Sequence, residues 1–161
     1  MNIVVVSDHA GFTLKEDIKT FLESENHNVI DCGTYSKESC DYPDYANAAA
    51  LAILDGKAER GIFICGTGIG ISIAANRHKG IRAALCSDIY SVRLSRQHNN
   101  ANVLAMGANI VAIPLAKEMI KEWLKEEFEG GRHERRICKL DINFPFKEFE
   151  NNEPLRKCKT I

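Results

Sequence analysis

Gly61-Ile62-Phe63-Ile64-Cys65-Gly66-Thr67-Gly68-Ile69-Gly70-Ile71-Ser72-Ile73-Ala74-Ala75-Asn76 is the stretch whose reading decides the fold. An apolar run of strand type ends on a thiol, glycines follow at every second position, and a small-residue helix begins at once. Glycines so spaced let backbone N–H groups converge on one point, and the start of a helix aims a positive dipole end at the same place. The pattern predicts an anion-binding turn with Cys65 at the carboxyl edge of a strand, where the local field would favour thiolate over thiol. A cysteine in that position without such a turn is an inert small hydrophobe.

Two nucleotide motifs compete for the same residues. A P-loop ends in Gly-Lys-Ser/Thr, whereas Gly70 is followed by Ile71 and Ser72, so no lysine reaches a terminal phosphate. A dinucleotide fingerprint needs its third glycine three places after the second, and Gly68 is followed too soon by Gly70. Asp88, after the next apolar run, imitates the acid that binds a ribose, which keeps this reading open as a competitor.

Outward from that stretch, apolar runs near 2–7, 28–32, 60–65, 81–86 and 102–106 alternate with helix-period segments near 12–25, 43–55, 69–78, 89–98 and 114–128. Helices between successive strands impose crossover connections, so the strands should be parallel and covered on both faces. Ligands of such sheets bind at the carboxyl ends of the strands. That gathers Ser7-Asp8-His9, Cys65 to Gly70 and Ser87-Asp88 into one candidate cleft. Pro114 opens a helix whose Leu115, Met119, Ile120, Trp123 and Leu124 form one apolar face for core or subunit packing. After Gly130-Gly131, Arg132 and Arg136 stand four apart and would share a helix face, a spacing with which two guanidinium forks can clamp one phosphate.

The chain has 161 residues, 45% of them hydrophobic, enough for one domain over residues 1–142 without metal or disulfide support; residues 143–161 read as an aperiodic tail. A net charge of -1 offers no general field for nucleic acid or anionic membrane, so a charged partner should be small and held locally. Six cysteines without a CxxC pair, and a strand-like run directly after Met1, point to reduced thiols and a cytoplasmic protein. No apolar run is long enough to span a bilayer, and the five histidines lack zinc-type pairing, so neither membrane nor metal is expected.

Asp8-His9, Asp41-Tyr42-Pro43, Cys65-Gly66-Thr67-Gly68-Ile69-Gly70, Gln97-His98-Asn99 and Gly131-Arg132-His133-Glu134-Arg135-Arg136, in this order, resemble the type B ribose-5-phosphate isomerases, whose relatives include allose-6-phosphate and galactose-6-phosphate isomerases. The resemblance implies an α/β fold, a three-layer Rossmann-like sandwich with a five-stranded parallel sheet and helices on both faces. It implies aldose–ketose isomerisation of ribose 5-phosphate and ribulose 5-phosphate through an enediolate, with no metal and no organic cofactor. By the same resemblance Cys65 is the base, the turn from Gly66 through Gly68 and Ile69 to Gly70 holds the oxyanion, and Thr67 orients the thiol or the sugar. His98, with Asp8 nearby, opens the furanose ring. His9, Arg132 and Arg136 hold the phosphate, and Tyr42 and Asn99 take hydroxyl groups. Some relatives use a glutamate six places after the cysteine; here that place is Ile71, so the thiol version applies. Asn109 stands where many relatives carry a phosphate-contacting arginine from a neighbouring subunit. A homodimer or tetramer is implied, with sites at the subunit interface and His98 and Asn99 entering the partner's cleft. The alternatives are a hexose-6-phosphate isomerase and, in other classes, a nucleotide-binding module or a sugar-phosphate sensor without turnover.

Overall fold

Successive residues of each strand alternate between two apolar layers, and that alternation builds the molecule. The computed structural model describes residues 1–140; the tail at 143–161 lies outside them. β1 (Asn2–Ser7), β2 (Asn28–Asp31), β3 (Arg60–Cys65), β4 (Ala83–Leu85) and β5 (Val103–Gly107) form one parallel sheet in the order β2-β1-β3-β5-β4. Ile3, Val5, Ile62, Ile64, Leu104 and Met106 face one layer, made by α1 (Phe12–Ser24), α4 (Ile89–Gln97) and α5 (Ile113–Lys125). Val4, Val6, Phe63, Cys65, Val103 and Ala105 face the other, made by α2 (Tyr42–Leu54) and α3 (Ile69–Ala75). α2 presents Ala46, Ala49 and Ala50 to the sheet, all without exposed surface, and such small residues let the helix approach the strands closely. The expected three-layer α/β sandwich with a five-stranded parallel sheet is the observed one.

Three elements are shorter than the periodicity predicts, each for a local reason. β4 begins at Ala83 rather than 81, because the Asn102 side chain takes the Arg82 N–H and the Gly80 carbonyl that a longer strand would use. α3 stops at Ala75, where Asn76 turns its amide onto both backbone groups of Ala83 at 2.9 Å and blunts the edge strand. α5 stops at Lys125 instead of 128: Arg60 Nη1 donates to the carbonyls of Trp123 and Leu124, a cationic cap on the last turn. α6 (Arg132–Cys138) follows the predicted break at Gly130 and Gly131, both at positive φ.

Candidate active site

At the carboxyl edge, β1 and β3 lie side by side at the point where strand order reverses, since β2 pairs on one flank of β1 and β3 on the other. Register pairs Ser7 with Ile64, and the Asp8 N–H donates to the Ile64 carbonyl at 3.2 Å, so Asp8 and Cys65 leave the sheet together. The Cys65 thiol is 4% exposed, and the Gly68 N–H donates to its Sγ at 3.1 Å. Gly68 supplies this bond by adopting φ +79°, a left-handed conformation that costs other residues dearly. Gly70 lies beneath the Tyr42 ring: a Cβ there would stand 2.6 Å from Tyr42 Cζ. Tyr42 thus closes one side of the glycine turn, helped by Pro43, which fixes the first turn of α2. On the other side the Cys40 N–H donates to His9 Nδ1 at 3.2 Å, leaving Nε2 as the protonated nitrogen of the ring.

Asp8, His9, Tyr42 and the segment Cys65 to Gly70 are therefore brought to one edge, but several details differ from the sequence reading. The turn's amides are not all free to meet a ligand, because Gly68 N–H serves the thiol and Ile69 N–H donates to Thr67 Oγ1 at 3.3 Å. Thr67 is thus engaged with its own turn rather than with the thiol. Asp8 Oδ1 accepts the Gly11 N–H at 3.0 Å and shapes the entry to α1. Asp88, the imitation of a ribose-binding acid, caps α4: its carboxylate accepts from Ser91 N–H and Ser91 Oγ, each at 2.8 Å. Those bonds from Ser91 hold its carboxyl below the usual value. Asn109 N–H donates to the Gly66 carbonyl at 3.0 Å, and its amide nitrogen lies 3.3 Å from where a Gly66 Cβ would be. Its side chain joins the turn of its own chain, which β5 alone, by register with β3, brings about.

The second group of expected site residues lies at the opposite edge. α4 starts beyond the carboxyl end of β4 and returns to the start of β5, so His98 and Asn99 stand at the amino edge. α5 returns in the same sense, and Glu129 N–H donates to the Gln97 carbonyl at 3.0 Å, which carries α6 to the same place. With strands of five to six residues rising roughly 3.3 Å each, about 17 Å of sheet separates His98 from Cys65. Within one chain His98 stands away from Asp8, as an expectation that has His98 entering a partner's cleft requires; parallel strands joined by full-length helices must put consecutive loops on alternate edges.

At this amino edge the His98 and His133 rings stack with centroids 4.1 Å apart and planes 6° from parallel. Glu129 Oε2 lies 3.8 Å from His98 Nε2 and 3.6 Å from His133 Nε2, and Arg132 Nε points at His133 Nε2 from 3.3 Å. Burial first, then the charges of His98 and Arg132, pushes His133 below the ordinary histidine value. His98, Glu129 and His133 carry ligand atoms within 4.8 Å of one another, yet the Arg132 guanidinium at 3.3 Å makes the spot inhospitable to a cation. Arg132 and Arg136 are both exposed on α6, one turn apart. Asn99 borders a groove of about 600 Å³ lined also by Arg77, His78, Lys79 and Arg82. In the sequence reading His133 stands within a motif, but neither it nor Glu129 has a role there, since only the stack and the α5–α6 turn make them neighbours of His98.

A thiol under the Gly68 N–H at the switch point of a parallel sheet, with the His9 imidazole at the same edge, fits the class of enzymes that act on small anionic substrates. The chain belongs to the Ribose/Galactose Isomerase family, whose model matches residues 3–140. It is 53% identical over 130 residues to ribose-5-phosphate isomerase B of Escherichia coli (strain K12), covering 81% of this chain and 87% of that protein. It is 44% identical to D-erythrulose-4-phosphate isomerase of Pectobacterium atrosepticum, over 87% of this chain and 93% of that one. The solved structure of Clostridium thermocellum ribose-5-phosphate isomerase B superposes with a TM-score of 0.87 at 50% identity, covering 88% of this chain and 95% of the other.

Proposed function

We propose that this chain interconverts ribose 5-phosphate and ribulose 5-phosphate through an enediolate, with Cys65 carrying the proton between C2 and C1. The observation that carries the reading is the Gly68 N–H donated to Cys65 Sγ at 3.1 Å, beside the first turn of α3. As thiolate, Cys65 takes the C2 proton; the C2–H electrons form the C1–C2 double bond and the carbonyl pair moves onto O1. Backbone N–H groups of Gly66 and Gly70, at the ends of the turn, meet that charge. The C2 hydroxyl proton then passes to O1, and as the carbonyl forms at C2 the electrons of the C1–C2 double bond take the proton back from Cys65 onto C1.

His98 of a second copy moves a proton from the anomeric hydroxyl to the ring oxygen, with Asp8 opposite it. His9, Arg132 and Arg136 hold the phosphate, and Tyr42 and Asn99 take hydroxyl groups. The opposite-edge positions of His98 and Cys65 support a homodimer with composite sites. So does the apolar surface left open by Ile69, Ile73 and Leu85.

Turnover of ribose 5-phosphate should fall at least roughly 100-fold in Cys65→Ala. Mixing that variant with His98→Ala, followed by subunit exchange, should restore activity, because one site in each mixed dimer regains both groups. A four-carbon 4-phosphate has no hydroxyl free to close a furanose, so His98→Ala should still isomerise D-erythrose 4-phosphate if wild type does. Near-normal ribose 5-phosphate turnover in Cys65→Ala would remove the assigned base.

A further inference from the structure

We infer that His133 is a positioning residue for His98: its buried ring is the flat platform that fixes the plane in which His98 is offered to the substrate. This rests on the reading of His98 as the ring-opening group. His98 follows the last turn of α4 with its side chain 34% exposed, and an imidazole so placed, without a neighbour, moves among rotamers. The only ring stacked on it among the described residues is that of His133, at 4.1 Å and 6° from parallel.

His133 itself has little freedom. It is 5% exposed, its N–H donates to the Gly130 carbonyl at 3.0 Å, and the turn before it is tied to α4 through Glu129 N–H and the Gln97 carbonyl. Gln97 Nε2 also donates to Glu126 Oε2 at 2.7 Å, which joins the end of α5 to the residue next to His98. Glu129 lies within 4 Å of both rings on their Nε2 side and limits rotation of the stacked pair. Burial and the adjacent positive groups push the His133 ring toward its neutral form, which lessens its repulsion of a proton arriving on His98.

Two variants of the full chain separate positioning from substrate contact. His133→Phe keeps a flat face and His133→Ala removes it. By NMR at fixed pH, the His98 ring protons should be shifted upfield in wild type and in His133→Phe, and move toward free-histidine positions in His133→Ala. On ribose 5-phosphate, His133→Ala should lose kcat roughly 10- to 100-fold with KM little changed, while His133→Phe stays near wild type. On D-erythrose 4-phosphate both variants should match wild type.

A raised KM with unchanged kcat in both variants would make His133 a direct phosphate ligand and overturn the positioning role. Loss of four-carbon turnover in His133→Ala would overturn it too. If His98→Ala itself fails on the four-carbon sugar, the ring-opening assignment fails, while the ring-proton shifts still report whether His133 holds His98.

Discussion

Gly68 sits at φ +79° with no room for a side chain: a Cβ would stand 2.5 Å from Leu85 Cδ1 and 2.7 Å from the Met106 carbonyl carbon. The left-handed backbone and the collision with β5 act together, so Gly68→Ala should destabilise the fold by about 2 kcal/mol or more. A lower urea midpoint at unchanged m would show it, and an unchanged midpoint would mean the turn rearranges freely. The same substitution displaces the amide that faces Cys65 Sγ, tying stability to the thiol's surroundings at one position. The glycine spacing was legible in sequence; that Gly68 N–H serves the thiol instead of the ligand was not, because spacing does not set which way an amide points.

At the scale of elements, α1 is fastened to the edge strand β2 by a charged cluster that hydrophobic periodicity leaves out. Lys15, whose side chain has no exposed surface, places Nζ 2.6 Å from both Asp31 Oδ2 and Glu16 Oε1, and Lys19 adds a further contact to Asp31. Burial works against the Asp31 carboxylate, but the hydrogen bonds from Lys15 and Lys19 prevail and hold it below the usual carboxylate value. Asp31→Asn leaves buried Lys15 with the more exposed Glu16 as its carboxylate partner and should cost about 3 kcal/mol. Because the folded value is depressed, this stabilisation is complete above the unfolded value of about pH 4 and is lost as pH falls through the folded one. Wild type should therefore lose stability steeply in acid, and Asp31→Asn should show a flatter profile below about pH 4 in chemical denaturation. Parallel curves would assign the acid sensitivity to other carboxylates.

For the whole molecule, the proposed mechanism needs groups that lie at opposite edges of one sheet, and a single copy does not bring His98 to Cys65. Ile69 and Ile73, one turn apart on α3, are 52% and 51% exposed, and Leu85 on the adjoining edge strand is 43% exposed. An apolar face of this kind beside the glycine turn suits a second copy. Ile73→Asp should shift the chain toward monomer in light scattering and lower ribose 5-phosphate turnover in parallel, with the circular dichroism spectrum intact. Full activity in a monomeric Ile73→Asp protein would contradict composite sites.

Sequence by itself determined the α/β sandwich, the glycine turn after Cys65 and the family, because strand and helix periods, glycine spacing and residue order are local properties of a chain. The division of Asp8, His9, Tyr42 and Cys65 from His98, Asn99, Arg132 and Arg136 followed from topology, since parallel crossovers return each helix to the amino edge. Tertiary structure alone decided the rest: Asn109 against Gly66, Arg60 ending α5, Asp88 as a cap, and His133 stacked on His98. Each depends on residues far apart in the chain meeting at a particular angle, and periodicity carries no information about angles between side chains that only packing brings together.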